Sequence, residues 1–209
     1  MNILVVDSSK KQAYVGVITD SKSFGYTLQQ QEKHSENLLM RIEEVVVRAD
    51  LNLNDFDVYS AVVGPGSFTG IRVGLSTIKA FNIVNNKKLV ALNSFEPFLQ
   101  VCKYGVILLN STHTSYYYAL VKAGEIEEMG TVYVDDLSKL VKDKDVYMLD
   151  YEKSENLGDI KVNFVDNYGE LLKQTVVEKC NNSEFVNDNE FEPVYLQLSQ
   201  AEIQLNNKK

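Results

Sequence analysis

The sequence has few residues that form disulfides or bind transition metals, and it has no long apolar run. Of its 209 residues, two are cysteine and two are histidine. Cys102 and Cys180 lack CxxC spacing, so we expect free thiols in a reducing compartment. No apolar run approaches the ~20 residues that a membrane-spanning helix needs, and the N-terminus lacks the basic segment of a secretory signal. These absences predict a cytoplasmic protein without a membrane partner.

The chain also lacks a basic stripe. Residues 1–100 hold 10 Lys/Arg and 10 Asp/Glu, whereas residues 101–209 hold 11 and 19. The whole net charge of −8 therefore comes from the second half. Such a surface repels nucleic-acid phosphates, so the composition argues against direct, autonomous binding of tRNA or DNA.

Apolar periodicity predicts an α/β fold made of two similar halves. In residues 1–100 it gives strands and helices in the order βββαβαβ, with helices over 35–49 and 70–84. A shift of 103 residues superposes 3–9 on 106–112, and the next strand follows without a gap. We predict an N-terminal lobe (1–100) and a smaller, acidic, degenerate lobe (101–209) produced by duplication. Chance similarity is the alternative, because apolar strands before Ser/Thr-rich turns are common.

The segment GPGSFTGIRVG, which starts at Gly64, predicts a glycine-proline turn followed by a helix. Gly64 and Gly66 allow positive φ or close backbone approach, and Ser67 suits an N-cap. The segment fails the phosphate-binding templates, because no lysine follows Gly70 and the glycine spacing is one residue too long for the dinucleotide fingerprint. Gly70 and Gly74 lie one turn apart. They either let a partner helix approach or only fit this helix against its own sheet.

This eleven-residue segment resembles the signature of the TsaB (YeaZ) family. Residues 3–9, the helix entry at 34–36 and the sequence PVYL at 193–196 also match the pattern of that family. The resemblance implies a two-lobed RNase H-like, actin-like fold of the sugar kinase, chaperone ATPase and actin superfamily, with the second lobe reduced. It also implies a non-catalytic paralogue of TsaD. With the ATPase TsaE, TsaD transfers threonylcarbamoyl to the adenosine beside the anticodon of tRNA.

The positions of the metal-binding histidines of TsaD hold other residues here. The corresponding segment of TsaD has a sequence similar to NHxEGH. This chain has NSFEPF there, with Ser94 and Phe98 at the histidine positions. His34 and His113 lack HxxxH spacing, and no Ser/His/Asp or Cys/His triad can be assembled. We therefore expect no catalytic residue and no cofactor or metal in this chain by itself. ATP and a metal are expected in the partner complex.

The superfamily resemblance also implies an ATP cleft between the lobes, and its residues are altered. Asp7 holds the place of a magnesium-linked carboxylate, but the turn that begins at Ser8 contains no glycine. The paired turn begins with Asn110, where TsaB usually has Asp, and Gln197 replaces an expected Arg. Asp7, Ser8 and Asn110 are thus candidates for a degenerate nucleotide cleft. The simpler interpretation of Asp7 is a strand-end carboxylate that caps the amides of its own turn.

The resemblance implies a scaffold that docks TsaD. We expect it to assemble with TsaD and TsaE, to reach tRNA only through that complex, and to form a homodimer when alone. Two enzyme alternatives stay open, an ATP-binding transferase or kinase that uses Asp7 and, less favoured, a metallopeptidase. The expected contact residues lie on or beside the two helices of the first lobe: His34, Glu36, Leu39, Gly66, Ser67, Phe68, Thr69, Gly70, Arg72, Val73, Gly74 and Thr77.

Overall fold

The computed structural model describes residues 1–28 and 34–197, with the backbone alone described at 34–36. The first half contains β1 (Ile3–Asp7), β2 (Ala13–Ile18), β3 (Ser23–Leu28), α1 (His34–Arg48), β4 (Val58–Gly64), α2 (Phe68–Asn85) and β5 (Lys88–Asn93). The second half contains β6 (Gly105–Thr112), β7 (Ser115–Lys122), β8 (Glu125–Tyr133), α3 (Val134–Val141), β9 (Val146–Leu149), β10 (Val162–Val165) and α4 (Tyr168–Asn181). Each predicted helix and strand therefore exists, with ends that differ by a few residues.

The two halves have the same sheet topology. The first sheet has the strand order β3-β2-β1-β4-β5, and the second has the order β10-β9-β6-β7-β8, which is the same order read from the other edge. In both sheets the first three strands are antiparallel, and the last two run parallel to the first. The duplicated α/β architecture is confirmed.

The gapless superposition at a shift of 103 residues is wrong by one residue. β1 pairs Ile3 with Ile18. The shift would therefore pair Val106 with Val121, but β6 pairs Val106 with Leu120 instead. The pairing of β6 with β7 is also irregular between Asn110 and Thr112, near the end of β6.

The side chains show why this register matters. Ile3 and Val5 of β1 face the core between the two sheets, and in β6 the residues that do so are Ile107 and Leu109. Val106, which the shift would match to Ile3, faces the opposite side. Side chains alternate along a strand, so a one-residue slip exchanges the two faces. Sequence similarity alone did not detect this slip, because every residue from 106 to 109 is apolar.

Three cores hold the layers together. The helices α1 and α2 cover the outer face of the first sheet, and α3 covers the outer face of the second. Between the sheets lie α4 and the short helical turn Glu96–Gln100. In the described part of the chain, no helix combines the length and apolar character needed to cross a membrane.

The residues after α4 return to the first lobe. Phe191 is completely buried in the core beneath α1 and α2. The amide of Val194 donates a hydrogen bond to the carbonyl oxygen of Val63 at 2.8 Å. Residue 100 separates the two sheets, but the predicted second range, 101–209, is not confined to the second lobe. We call residues 191–197 the C-terminal strap.

Candidate functional site

In the cleft between the lobes, side chains of this chain fill the place next to Asp7. Asp7 is fully buried at the end of β1, and its carboxylate accepts four hydrogen bonds. The amide and hydroxyl of Ser9 donate to Oδ1 at 2.8 and 2.6 Å. Nζ of Lys10 and the hydroxyl of Tyr168 each donate to Oδ2 at 2.7 Å. These donors use the acceptor sites of the carboxylate. The interpretation of Asp7 as a cap of its own turn is confirmed, and the turn adds a buried ion pair.

Opposing influences set the ionisation of this cluster. Burial alone would raise the pKa of the Asp7 carboxyl. The Lys10 ammonium and the hydrogen bonds from Lys10, Ser9 and Tyr168 outweigh burial, so the pKa of Asp7 lies below its usual value. Burial and the neighbouring Asp7 charge raise the pKa of Tyr168 well above 10. Asp7 is therefore an anion bonded to a neutral phenol.

The second lobe places a buried carboxyl group where Asn110 was expected to mark a degenerate turn. Glu152 accepts a hydrogen bond at Oε2 from the amide of Asn110 at 2.9 Å, and its carbonyl oxygen accepts another from Nδ2 of Asn110 at 2.9 Å. Burial raises the pKa of Glu152, while the Asn110 amide and the charges of Lys10 and Lys11 act in the opposite direction. Asn110 therefore orders its own lobe.

The residues that replace the two TsaD histidines are interior residues. Ser94 is fully buried, and its hydroxyl lies 3.3 Å from that of Ser9. Phe98 is also fully buried, with its ring centroid 6.0 Å from that of Tyr168. Among the side chains that the structure describes, those of residues 1–28 and 37–197, no three from His, Cys, Asp or Glu cluster as metal ligands.

The glycines of the GPGSFTGIRVG segment contact the chain itself. A Cβ at Gly70 would overlap the carbonyl oxygen of Ser8, and one at Gly74 would overlap its hydroxyl. The Ser8 hydroxyl donates to the carbonyl oxygen of Gly70 at 2.7 Å. A Cβ at Gly66 would likewise overlap the carbonyl oxygen of Ser9. The partner-helix interpretation of Gly70 and Gly74 is therefore corrected. These glycines are required because α2 lies directly against the turn after β1.

Other predicted contact residues fall into three groups. Ser67 is the N-cap of α2, since its hydroxyl accepts a hydrogen bond from the Gly70 amide at 3.2 Å. Ser67, Leu39, Thr69 and Arg72 are exposed, whereas Phe68, Val73 and Thr77 are half-buried. The side chains of His34 and Glu36 lie outside the described residues.

Sequence reasoning missed part of the exposed apolar surface of these helices. Val47 on α1 is 69% exposed, and Ile83 and Val84 on α2 are 85% and 80% exposed. With Leu39 at 60% and Met40 at 44%, they make the outer face of the two helices partly apolar. Part of their sequence signal was present, because Met40, Val47 and Val84 fall on the side of each helix opposite the core residues. Leu39 instead lies at the edge of the core stripe, seven residues before the buried Val46.

The C-terminal strap adds a further element to this face. The ring of Tyr195 stacks on Phe68 with centroids 4.7 Å apart. Nε of Arg72 donates to the Tyr195 hydroxyl at 2.9 Å. Glu192 forms an ion pair with Lys79 on α2. Nothing near Tyr195 in the sequence identifies this contact, because Phe68 and Arg72 lie more than a hundred residues earlier. We call the exposed side of α1 and α2 together with Tyr195 the helical face.

Comparisons with known proteins give the family. A family model described as TsaD, tRNA N6-adenosine threonylcarbamoyltransferase, matches residues 27–200. A tRNA N6-adenosine threonylcarbamoyltransferase from Kosmotoga olearia is 33% identical over 109 residues, which cover 44% of this chain and 33% of that protein. One from Rhizobium meliloti is 31% identical over 147 residues, which cover 66% of this chain and 38% of that protein. The chain thus spans between 33% and 38% of the length of these curated relatives.

Solved structures give the fold. YeaZ from Pseudomonas aeruginosa superposes with a TM-score of 0.72 at 14% identity, covering 93% of this chain and 99% of that chain. A protein described as similar to peptidase YEAZ from the same organism superposes with a TM-score of 0.73 at 15% identity, covering 94% and 99%. The expected YeaZ fold is confirmed. The match over residues 27–200 shows that the chain belongs to the TsaD, tRNA N6-adenosine threonylcarbamoyltransferase, family.

Proposed function

We propose that this chain is a non-catalytic subunit that docks a TsaD protein. It would thereby support transfer of threonylcarbamoyl to the adenosine beside the anticodon of tRNA. The observation that carries the proposal is the helical face, on which Leu39, Val47, Ile83 and Val84 are each at least 60% exposed. Several large apolar side chains exposed on one pair of neighbouring helices are typical of protein–protein interfaces.

The state of the cleft supports a role without chemistry. Lys10 and Tyr168 occupy the acceptor sites of Asp7 that a magnesium ion would use. Phe98 and Ser94, at the histidine positions of TsaD, are both buried in the interior. A chain with this arrangement contributes to a modification reaction by binding the subunit that performs it.

The same face offers a place for a second copy of the chain. A two-fold pairing that buries the helical face would form a homodimer when the partner is absent, and it would compete with docking. TsaE and tRNA would then join through the complex. The net charge of −8 favours this indirect contact with tRNA over direct binding.

Reconstitution tests the proposal. Purified TsaD and TsaE from the same organism would be incubated with ATP, an activated threonylcarbamoyl donor and substrate tRNA, with and without this chain, and the modified adenosine would be quantified by mass spectrometry. We expect modification only when the chain is present, and formation of a TsaD complex in size-exclusion chromatography. Full modification without the chain, or failure of the two proteins to co-elute, would contradict the proposal.

An ATP-binding transferase or kinase is the alternative, and the cleft argues against it. A cavity of about 170 Å³ lies between the lobes, lined in part by Asp150, Tyr151, Asp166 and Tyr168. This volume is below the roughly 300 Å³ at which small-molecule sites begin. Its two exposed aspartates would also repel a triphosphate. Calorimetric titration with Mg-ATP is expected to show no binding, and micromolar affinity with turnover would establish the alternative.

A further inference from the structure

The guanidinium of Arg72 is held in one orientation by two aromatic rings. Its central carbon lies 3.9 Å from the ring centroid of Phe68 and 5.9 Å from that of Tyr195. Nε donates a hydrogen bond to the hydroxyl of Tyr195 at 2.9 Å. Phe68 and Tyr195 also stack on one another at 4.7 Å. Stacking and the Nε bond together remove much of the rotational freedom of an arginine side chain before any partner arrives.

This clamp leaves the binding end of Arg72 free. Its two terminal amino groups have no hydrogen-bond partner among residues 1–28 and 37–197, and the side chain is exposed. Arg72 lines a cavity of about 300 Å³ that is also lined by Ser76, Lys79 and Glu192. Lys79 is neutralised by its ion pair with Glu192. Arg72 is thus the cationic group at this cavity without an acidic partner in the described chain.

The geometry identifies the chemistry of the group that fits. A planar guanidinium whose terminal amino groups are free binds a carboxylate or a phosphate through two parallel hydrogen bonds. Arg72 lies on the exposed stripe of α2 that continues through Ser76 to the apolar residue Ile83. A nucleic acid would bring many phosphates close to a chain of net charge −8, and the single free arginine would not offset their repulsion. A protein can instead present one carboxylate to Arg72 and surround it with apolar contacts.

We propose that Arg72 is an anchor for an aspartate or glutamate side chain of the docked TsaD protein, and that Tyr195 is the positioning residue that orients it. This inference rests on the proposed function and adds the recognition chemistry of the face. Docking would cover this ion pair, and the exclusion of water would strengthen it relative to an exposed pair. The strap therefore contributes to docking although it is not part of either helix.

Calorimetric titration of purified TsaD with variants of the full chain tests this. Arg72→Lys keeps the charge but loses the planar fork, so affinity should fall by about 10-fold, and by about 30-fold in Arg72→Gln. Tyr195→Phe keeps the stack but loses the bond to Nε, and should lower affinity by about 5-fold. Lys88→Gln is the control, since Lys88 also lies over an aromatic ring, that of Phe185, but at the start of β5.

The coupling between variants separates positioning from a structural effect. In the Arg72→Gln background, Tyr195→Phe should cause no further loss, because Tyr195 acts through Arg72. One Asp→Asn or Glu→Gln change on TsaD should weaken wild type but not Arg72→Gln. Equal affinities for wild type and Arg72→Lys would overturn the inference. Additive losses of affinity from Arg72→Gln and Tyr195→Phe would also overturn it. Circular dichroism and thermal unfolding would establish that all variants are folded.

Two further experiments test whether another group binds Arg72, either an acidic residue of the chain itself or a phosphate of tRNA. Glu202→Gln removes the acidic residue that follows the strap in the sequence, and binding should be unchanged; tighter binding would mean that the chain itself occupies Arg72. A gel-shift titration with tRNA should not respond to Arg72→Gln, and a lost shift would mean that phosphate is the ligand. If wild type does not bind TsaD at all, the proposed function itself is wrong.

Discussion

Nζ of Lys10 lies 2.7 Å from Oδ2 of Asp7, and both side chains are at least 98% shielded from solvent. The Tyr168 hydroxyl, from α4 on the other side of the cleft, bonds to both groups at 2.7 Å. Through Tyr168, this buried pair is linked to α4 at the place where the superfamily resemblance implied a nucleotide. Buried charges persist only when they are paired and hydrogen-bonded, and this pair meets both conditions.

Removing one charge of this pair should destabilise the fold. Asp7→Asn leaves Lys10 buried without a counter-ion, so we expect a loss of about 3 kcal/mol in the free energy of unfolding. The double variant Asp7→Asn/Lys10→Met should regain part of that loss, because no buried charge remains. Urea unfolding followed by circular dichroism measures both. A double variant less stable than Asp7→Asn would contradict this account of the pair.

Glu152 should make stability depend on pH in the opposite sense to Asp7. Burial raises the pKa of Glu152 above its unfolded value of 4.5, so the folded state binds the proton more tightly. The stabilisation that this proton binding gives to the folded state is fully present below pH 4.5, and it is lost as the pH rises through the folded pKa of Glu152. Glu152→Gln keeps an acceptor for the Asn110 amide and should become more stable, relative to wild type, as the pH rises above 4.5.

Asp7 contributes in a separate pH range. Its folded pKa is lowered, so its contribution is present above the unfolded value of 3.8 and is lost as the pH falls through the folded pKa.

Glu155→Gln, a change at an exposed surface position, serves as the control for Glu152→Gln. A pH profile of Glu152→Gln that parallels that of wild type would show that Glu152 titrates alike in the folded and unfolded chain.

Gly70→Ala should destabilise the isolated chain. The new Cβ would meet the carbonyl oxygen of Ser8, a backbone atom that cannot move aside easily. We expect a loss of about 2 kcal/mol. Ser76→Ala, at an exposed position of the same helix, should change stability by less than about 0.5 kcal/mol. If Gly70→Ala unfolds like wild type and only weakens TsaD binding, the intramolecular role assigned to Gly70 is incorrect.

Phe191→Ala tests whether the strap belongs to the first lobe. Phe191 is completely buried, so its truncation should cost about 3 kcal/mol of stability. Phe164→Ala, on a side chain that is 41% exposed, should cost less than about 1 kcal/mol. Thermal unfolding of the two variants gives the comparison. Equal melting temperatures would mean that the strap is not anchored through Phe191.

Much of the fold could be predicted because its signals are local. The apolar spacing of α1 and α2 and the Ser67 N-cap each depend on residues a few positions apart. The core partners of Asp7 could not be predicted in this way. Lysine is rarely buried, and Tyr168 is 158 residues from Lys10, so nothing near Lys10 indicates its contact.

The candidate site was predicted in part for the same reason. The position of Arg72 on an exposed helix surface follows from helical periodicity, whereas Leu39 has the spacing of the core stripe and is nevertheless exposed. The roles of Gly70 and Gly74 were open, because a small-residue stripe fits a neighbouring strand turn as well as a partner helix. Only the placement of Ser8 against both glycines distinguishes the two. The contact of Tyr195 with Phe68 depends on the return of the chain to the first lobe after α4.

Calorimetric titration of TsaD with variants of the helical face tests most directly whether the chain docks TsaD through that face. Leu39→Asp and Ile83→Asp place a charge at exposed positions of α1 and α2, and Tyr104→Asp does so at a 63% exposed position that lies outside the helical face. We predict that Leu39→Asp and Ile83→Asp bind TsaD at least about 10-fold more weakly than wild type, with unchanged melting temperatures, and that Tyr104→Asp binds like wild type. Wild-type affinity in both face variants, or an equal loss in Tyr104→Asp, would contradict docking through this face.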